Sequence, residues 1–154
     1  MRGQGIGIVN SLAGLSRLQT DHTLAMLLRV SELLENDGTD SQSITGLLVK
    51  LVDSLGVYQN ILVADARGTV LHSALPLTES VSLADQTYFS ETAAVGSFTI
   101  GALAPEPLSG RFAIPFVLPS RGKGGAQGHV VVAYLVPELF LRDEAARIKS
   151  TARL

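Results

Sequence analysis

Cysteine is missing from the 154 residues. Its absence excludes a zinc knuckle, a thiol nucleophile and a disulfide framework. Charge is sparse as well: charged residues make up 17%, and 12 Lys plus Arg stand against 14 Asp plus Glu, a net charge of −2. A nucleic-acid footprint needs clustered positive charge to displace counterions, so that class of partner is excluded. A membrane-spanning helix needs about 20 predominantly apolar residues in a row, and none occurs: Ile6-Gly7-Ile8-Val9 is cut by Asn10 and Ser11, and the stretch from Val130 to Leu141 by Pro137 and Glu138. Met1-Arg2-Gly3-Gln4-Gly5 places one positive charge before apolar residues, but no apolar centre of about seven residues follows, which makes it a poor signal peptide. The expectation is either a cytosolic protein or one whose membrane segments flank this chain.

Apolar residues, by contrast, make up 46%, enough for a packed core and too many for disorder. A chain of this length forms one domain and buries roughly 70% of its unfolded surface. From Ile8 the residues Leu12, Leu15 and Leu18 form a narrow helical stripe, which broadens after Asp21 through Leu24, Met26, Leu27, Leu28, Val30, Leu33 and Leu34. This pattern predicts one long helix from about Ile8 to Glu35, ended by Asn36-Asp37-Gly38. Its later half is expected to join the core and its earlier half to meet a partner helix from a second copy.

Asp40 or Ser41 can cap a second helix running through Ser54, with Leu47, Leu48, Leu51, Val52 and Leu55 inward and Gly56 as the stop. The period then changes. Residues 60–64 and 69–73 read as strands joined by Asp65-Ala66-Arg67-Gly68, a hairpin whose Asp and Gly supply the turn. Ser82-Leu83-Ala84-Asp85 reads as a capping box for a short helix carrying Tyr88 and Phe89, closed by Gly96. Three strand runs follow, at 97–100, 111–118 and 129–136, with Pro115 marking the second as interrupted or at an edge. Pro137 suits the first turn of a final helix. The order implies an α+β fold with an antiparallel sheet of about five strands and helices gathered on one side. Three segments are expected: the long helix over 1–38, a domain over 39–140, and a helix leading out over 141–154.

Enzymatic signals are weak. Gly3-Gln4-Gly5-Ile6-Gly7 follows no strand and lacks the third glycine of a dinucleotide fingerprint, and Gly122-Lys123-Gly124-Gly125 lacks the Lys-Ser/Thr ending of a phosphate loop. They read as a frayed terminus and a hairpin loop. His22, His72 and His129 show no metal-ligand spacing, and no Gly-x-Ser-x-Gly elbow occurs, so no catalytic residue, metal or cofactor is assigned. Arg142, Arg147, Lys149 and Arg153 interleave with Asp143 and Glu144 and read as an exposed helix face. The segment from Pro76 to Arg111 is different. It gathers Asp85, Gln86, Tyr88, Phe98 and Arg111 among apolar neighbours, the make-up of a small-molecule pocket.

Those residues also carry a resemblance. Ile61 to Leu71 resembles the hairpin of PAS-like sensor domains, an apolar strand, Asp-x-x-Gly, and a second apolar strand. Ser82-Leu83-Ala84-Asp85-Gln86-Thr87-Tyr88-Phe89 is similar to the Asp-Arg-x-Tyr-Phe segment of extracytoplasmic Cache domains; Phe98-Thr99-Ile100-Gly101, Ser109-Gly110-Arg111-Phe112 and Gly128 to Ala133 follow in that family's order. The resemblance covers about Gly46 to Phe140, together with the long N-terminal helix. It implies a PAS-like Cache fold and a non-catalytic input domain of a bacterial histidine kinase, diguanylate cyclase or chemoreceptor. Such a domain lies in the periplasm, tethered to the inner membrane in the full-length protein, binds a small molecule and pairs as a homodimer through the N-terminal helix. Carried over by position, Asp85, Tyr88 and Arg111 are the candidate pocket or loop-anchoring residues. The family's arginine after the first Asp is Gln86 here, and basic residues common after the Ser-Gly-Arg strand are replaced by Leu118 and Pro119. Arginine is the side chain best suited to a carboxylate, so these departures point away from a simple organic acid and toward a neutral or mostly apolar ligand, or no ligand at all. The alternative reading is a cytosolic roadblock or longin module, which places a similar hairpin beside helices to bind a GTPase.

Overall fold

The structure, a computed structural model, describes residues 2–35, 40–120 and 128–138, with side chains from Arg17 onward. Its elements in chain order are α1 (Arg2–Leu34), α2 (Ser41–Leu55), β1 (Tyr58–Asp65), β2 (Val70–Ser73), α3 (Thr87–Val95), β3 (Thr99–Ile100), β4 (Ala104–Pro105), β5 (Phe112–Ser120) and β6 (His129–Leu135). All strand pairs are antiparallel, in the order β2-β1-β6-β5-β3, with β4 also on β5. The α+β architecture, the long N-terminal helix and the antiparallel sheet are as the sequence predicts. Pro137 and Glu138 are helical, and the expected exit helix over 141–154 lies outside the described residues, as do loop residues 121–127.

The sheet is covered on both faces. β1 alternates Ile61 and Val63 toward α1 and α2 with Leu62 and Ala64 toward α3, and all four are fully buried. Burial on both sides is why β1 and β6 read as nearly unbroken apolar runs rather than alternating ones. One core cluster joins Met26, Leu27 and Val30 of α1 and Ile44 and Leu48 of α2 to Phe116, Val131 and Leu135. The other joins Leu83, Tyr88 and Phe89 to Val117, Val132 and Tyr134. The helices are not gathered on one side as the element order predicts: the two long ones share one side, and the short helix α3 lies on the opposite side, where it supplies the cover that face would otherwise lack.

Several local signals operate as read. Asp40 is the N-cap of α2, its carboxylate accepting from the Ser43 N–H at 2.8 Å, and Gly56 ends the helix in a left-handed conformation. Asp65 Oδ1 accepts from the N–H groups of Arg67 (2.9 Å) and Thr69 (3.0 Å), folding the hairpin turn. Gly68 in that turn has φ +99°, and a Cβ there would stand 2.9 Å from the Ala84 nitrogen. Both the backbone and the neighbour therefore require glycine.

Others differ. α1 begins at Arg2, so Gly3-Gln4-Gly5-Ile6-Gly7 is helical rather than frayed. Ser82 caps no helix: it bridges to Thr69, and the Leu83 N–H donates to the Gly68 carbonyl at 2.7 Å. Pairing with the hairpin holds Ser82 and Leu83 extended, and α3 starts beyond them with Gln86 at its N-cap position and no side-chain cap. β5 runs unbroken through Pro115, which lies inside the sheet. The interruption is in its neighbour. β3 pairs with Val117 and Phe116 and β4 with Ala113 and Phe112, and the gap between them falls opposite Pro115, where no donor is called for. On α2, Ile44 and Leu48 reach the core, whereas Leu47 and Leu51 are half-buried and Leu55 is exposed.

Candidate ligand-binding site

The polar groups of the sheet meet beneath α3. β1 carries a register shift between Tyr58 and Asn60. The extra residue lets Tyr58 face the long helices while Asn60, two positions on, turns to the α3 side. Tyr58 is held there by Thr23, hydroxyl to hydroxyl at 2.6 Å, and by the Gln19 amide at 3.3 Å. Asn60 stands opposite Tyr134 of β6, which in turn stands opposite Pro115 of β5.

Asn60 is fully buried. Its amide nitrogen donates to Ser73 Oγ at 2.9 Å and to Glu106 Oε2 at 3.0 Å, and its carbonyl oxygen accepts from the N–H groups of Ile61 (2.9 Å) and Leu75 (3.1 Å). Glu106, also fully buried, takes two further donors from its own turn: Leu108 N–H to Oε2 at 3.0 Å and Ser109 N–H to Oε1 at 2.7 Å. Three N–H groups thus offset the desolvation of one carboxylate. They also staple the 105–111 turn to β1.

Tyr88 comes from the first turn of α3 and Tyr134 from β6. Their hydroxyls are 2.7 Å apart and their rings meet edge to face, 6.0 Å between centroids. Burial raises both phenol pKa values, that of Tyr134 well above its ordinary value near 10, and the nearby charge of Glu106 adds to each. Gly101 closes the loop after β3 against this pair: a Cβ there would lie 2.6 Å from Tyr88 Cβ and 2.9 Å from Pro115 Cγ. Thr92 donates its hydroxyl to the Tyr88 carbonyl at 2.8 Å and bonds the Thr99 hydroxyl, tying α3 to β3.

The five residues marked out by the sequence do not form one cluster. Tyr88 is central to the face. Asp85 is exposed and Gln86 half-buried, in the stretch that follows the Gly68 contact. Arg111 is exposed at the other end, its backbone paired with Glu106 and Ser109. The first anchorage is at the β1–β2 turn, through Gly68 and Thr69, and the second is at Asn60, toward the other end of β1. Phe98 packs on the far face of the sheet, with Phe116 at 6.3 Å. Missed from sequence were Asn60, Ser73, Glu106 and Tyr134. The signal for Glu106 was a carboxylate between Pro105 and Pro107, which reads as a solvated turn until the turn is seen to fold over the sheet.

These hydroxyls, the amide and the carboxylate are buried and hydrogen-bonded to one another or to backbone N–H groups. Among the described residues no group of three His, Asp or Glu could hold a metal ion, and no helix is long and apolar enough to cross a membrane.

No protein-family model and no curated protein matches this chain. Solved structures do. An extracellular domain assigned to a histidine kinase, rpHK1S-Z16, superposes with a TM-score of 0.74 at 19% identity, over 87% of this chain and 56% of that one. The ligand-binding domain of the Campylobacter jejuni chemoreceptor Tlp3, solved with 4-methylisoleucine, gives 0.62 at 11% identity, over 84% and 55%. That of the Pseudomonas aeruginosa chemoreceptor PctB, solved with L-Arg, gives 0.64 at 16%, over 88% and 55%. The chain spans little more than half the length of these structures. At such identities the likeness is one of fold, and that fold is the Cache-like, PAS-related fold of extracellular ligand-binding domains from sensor kinases and chemoreceptors.

Proposed function

We propose that this chain is a small-molecule-sensing input domain of a membrane-bound signal-transduction protein, non-catalytic, lying outside the cytoplasmic membrane and paired with a second copy through α1. The carrying observation is the fold shared with the histidine-kinase extracellular domain at a TM-score of 0.74. The same comparisons give no support to a roadblock or longin module. The long helix over 1–38 serves dimerisation, 39–140 is the sensor, and 141–154 leads out of it.

The ligand enters beneath α3, with Tyr88 at the centre, Asp85, Gln86 and Arg111 on the surrounding segments, and Phe98 backing the sheet from behind. Glu106 in the same face repels a carboxylate, so the ligand is neutral or cationic. Closure of the 76–111 segment on it shifts the sheet against α1 and favours one of two dimer arrangements, with a coupling of about 1 to 3 kcal/mol.

A thermal-shift screen of the purified chain against amino acids, carboxylates, amines and nucleobases tests this. At least one neutral or cationic compound raises the melting temperature, and Arg111→Ala or Tyr88→Ala removes the shift. If no compound stabilises the chain, or every shift survives both Arg111→Ala and Tyr88→Ala, the reading fails.

A further inference from the structure

On the side of the sheet opposite α3, a concavity lies between α1 and α2, with a volume of about 470 Å³. Its α2 wall is Leu47, Leu51 and Leu55, a stripe distinct from the Ile44 and Leu48 stripe that enters the core. The α1 wall presents Met26, Val30 and Leu33. The floor is the Tyr58 ring, whose hydroxyl is already engaged by Thr23 and Gln19. The interior therefore presents apolar surface, and its polar floor is satisfied by the protein itself. Among the described lining residues the one charged side chain is Arg29 of α1, with the imidazole of His22 two helical turns before it, and none is a carboxylate. Such a site suits an apolar chain that ends in an anion.

Its size sets the kind of chain. Leu47 and Leu55 are about 12 Å apart along α2. A methylene group takes about the 30 Å³ of a liquid water molecule, so the groove holds a single chain on the order of ten to fifteen carbons.

We propose that the α1–α2 groove binds a free medium-chain alkanoate, the chain lying between the leucine stripe of α2 and α1 and the carboxylate at Arg29, with His22 as a second donor. The site is on the other side of the sheet from Tyr88, so it stands or falls apart from the sensing site beneath α3.

Calorimetric titration of the full 154-residue chain with hexanoate, octanoate, decanoate and dodecanoate below their micelle concentrations tests it. Saturable one-to-one binding is expected, tightening about fourfold per added methylene until the groove is full. Arg29→Gln weakens decanoate about tenfold or more and leaves decanol unchanged. Leu51→Arg abolishes binding, and Leu55→Arg at the exposed end of the same stripe does so too should Leu51→Arg not fold. A flat chain-length series, or binding that survives these substitutions, overturns the proposal. So does either of two competing occupants: a dimer that Leu51→Arg abolishes and decanoate leaves intact, or capture by anionic phosphatidylglycerol vesicles without binding of free alkanoate.

Discussion

Tyr88 on α3 and Tyr134 on β6 share one buried hydrogen bond, hydroxyl to hydroxyl at 2.7 Å, which ties the short helix to the central strands of the sheet. Removing one hydroxyl leaves the other buried without its partner, whereas removing both leaves two phenyl rings in edge-to-face contact. Tyr88→Phe and Tyr134→Phe are each expected to cost about 1 to 3 kcal/mol, and the double variant less than the sum. Urea denaturation of the four proteins gives the cycle; additivity would show that the bond contributes nothing.

Gly101 and Gly46 predict opposite responses to the same substitution. Gly101→Ala drives a methyl group to 2.6 Å from Tyr88 Cβ, in a packed wall, and is expected to destabilise by about 1 to 3 kcal/mol. Gly46 lies within α2 with nothing near its missing Cβ, so Gly46→Ala is expected to stabilise by about 0.5 to 1 kcal/mol. Denaturation midpoints decide both signs.

Glu106→Gln keeps the shape of the side chain but turns one acceptor into a donor. All three of its present partners, Asn60 Nδ2 and the N–H groups of Leu108 and Ser109, are donors. At least one of them is left opposed, and a loss of about 1 to 3 kcal/mol is expected. Amide hydrogen exchange at Leu108 and Ser109 rises by a larger factor than in α2. Equal acceleration everywhere would mean that the carboxylate does not specifically hold the turn.

Stability is expected to fall at both ends of the pH range. Tyr58, Tyr88 and Tyr134, the only three tyrosines, all have raised phenol pKa values, burial being the first cause in each. Above pH 10 the unfolded chain loses phenol protons that the folded chain keeps, so stability present below about pH 10 declines as pH rises further. Tyrosinate absorbance of the folded protein is expected to rise at higher pH than that of the unfolded chain. His72 runs the other way: burial first, then the charge of His129, lowers its pKa. Below about pH 6.5 the unfolded chain takes up a proton first, and stability falls with pH. His72→Gln flattens that acid limb and leaves the alkaline limb unchanged.

Much of the fold was legible because its signals are local. Asp40 and Gly56 mark the ends of α2, and Asp65 and Gly68 the β1–β2 turn, through backbone geometry that those residue types favour anywhere. Where the reading went astray, a distant partner had taken over. Ser82 carried a capping pattern but pairs with Thr69, and Pro115 looked like a strand breaker until β3 and β4 supplied a gap beside it. The side of the sheet that α3 covers was equally hidden, since its short apolar stripe fits either face.

The sequence by itself determined most of the helix and strand segments, the antiparallel order of the late strands and the absence of thiol chemistry, because period, caps, turns and composition act within a few residues. Only the tertiary structure decided that Asn60 meets Glu106 and Tyr88 meets Tyr134, pairs each separated by 46 positions. Those meetings depend on the register shift before Asn60 and on a turn folding back over the sheet. A strand displaced by one residue presents the other face. The groove between α1 and α2 has the same origin: two helices, each packed on the sheet, with a leucine stripe left between them.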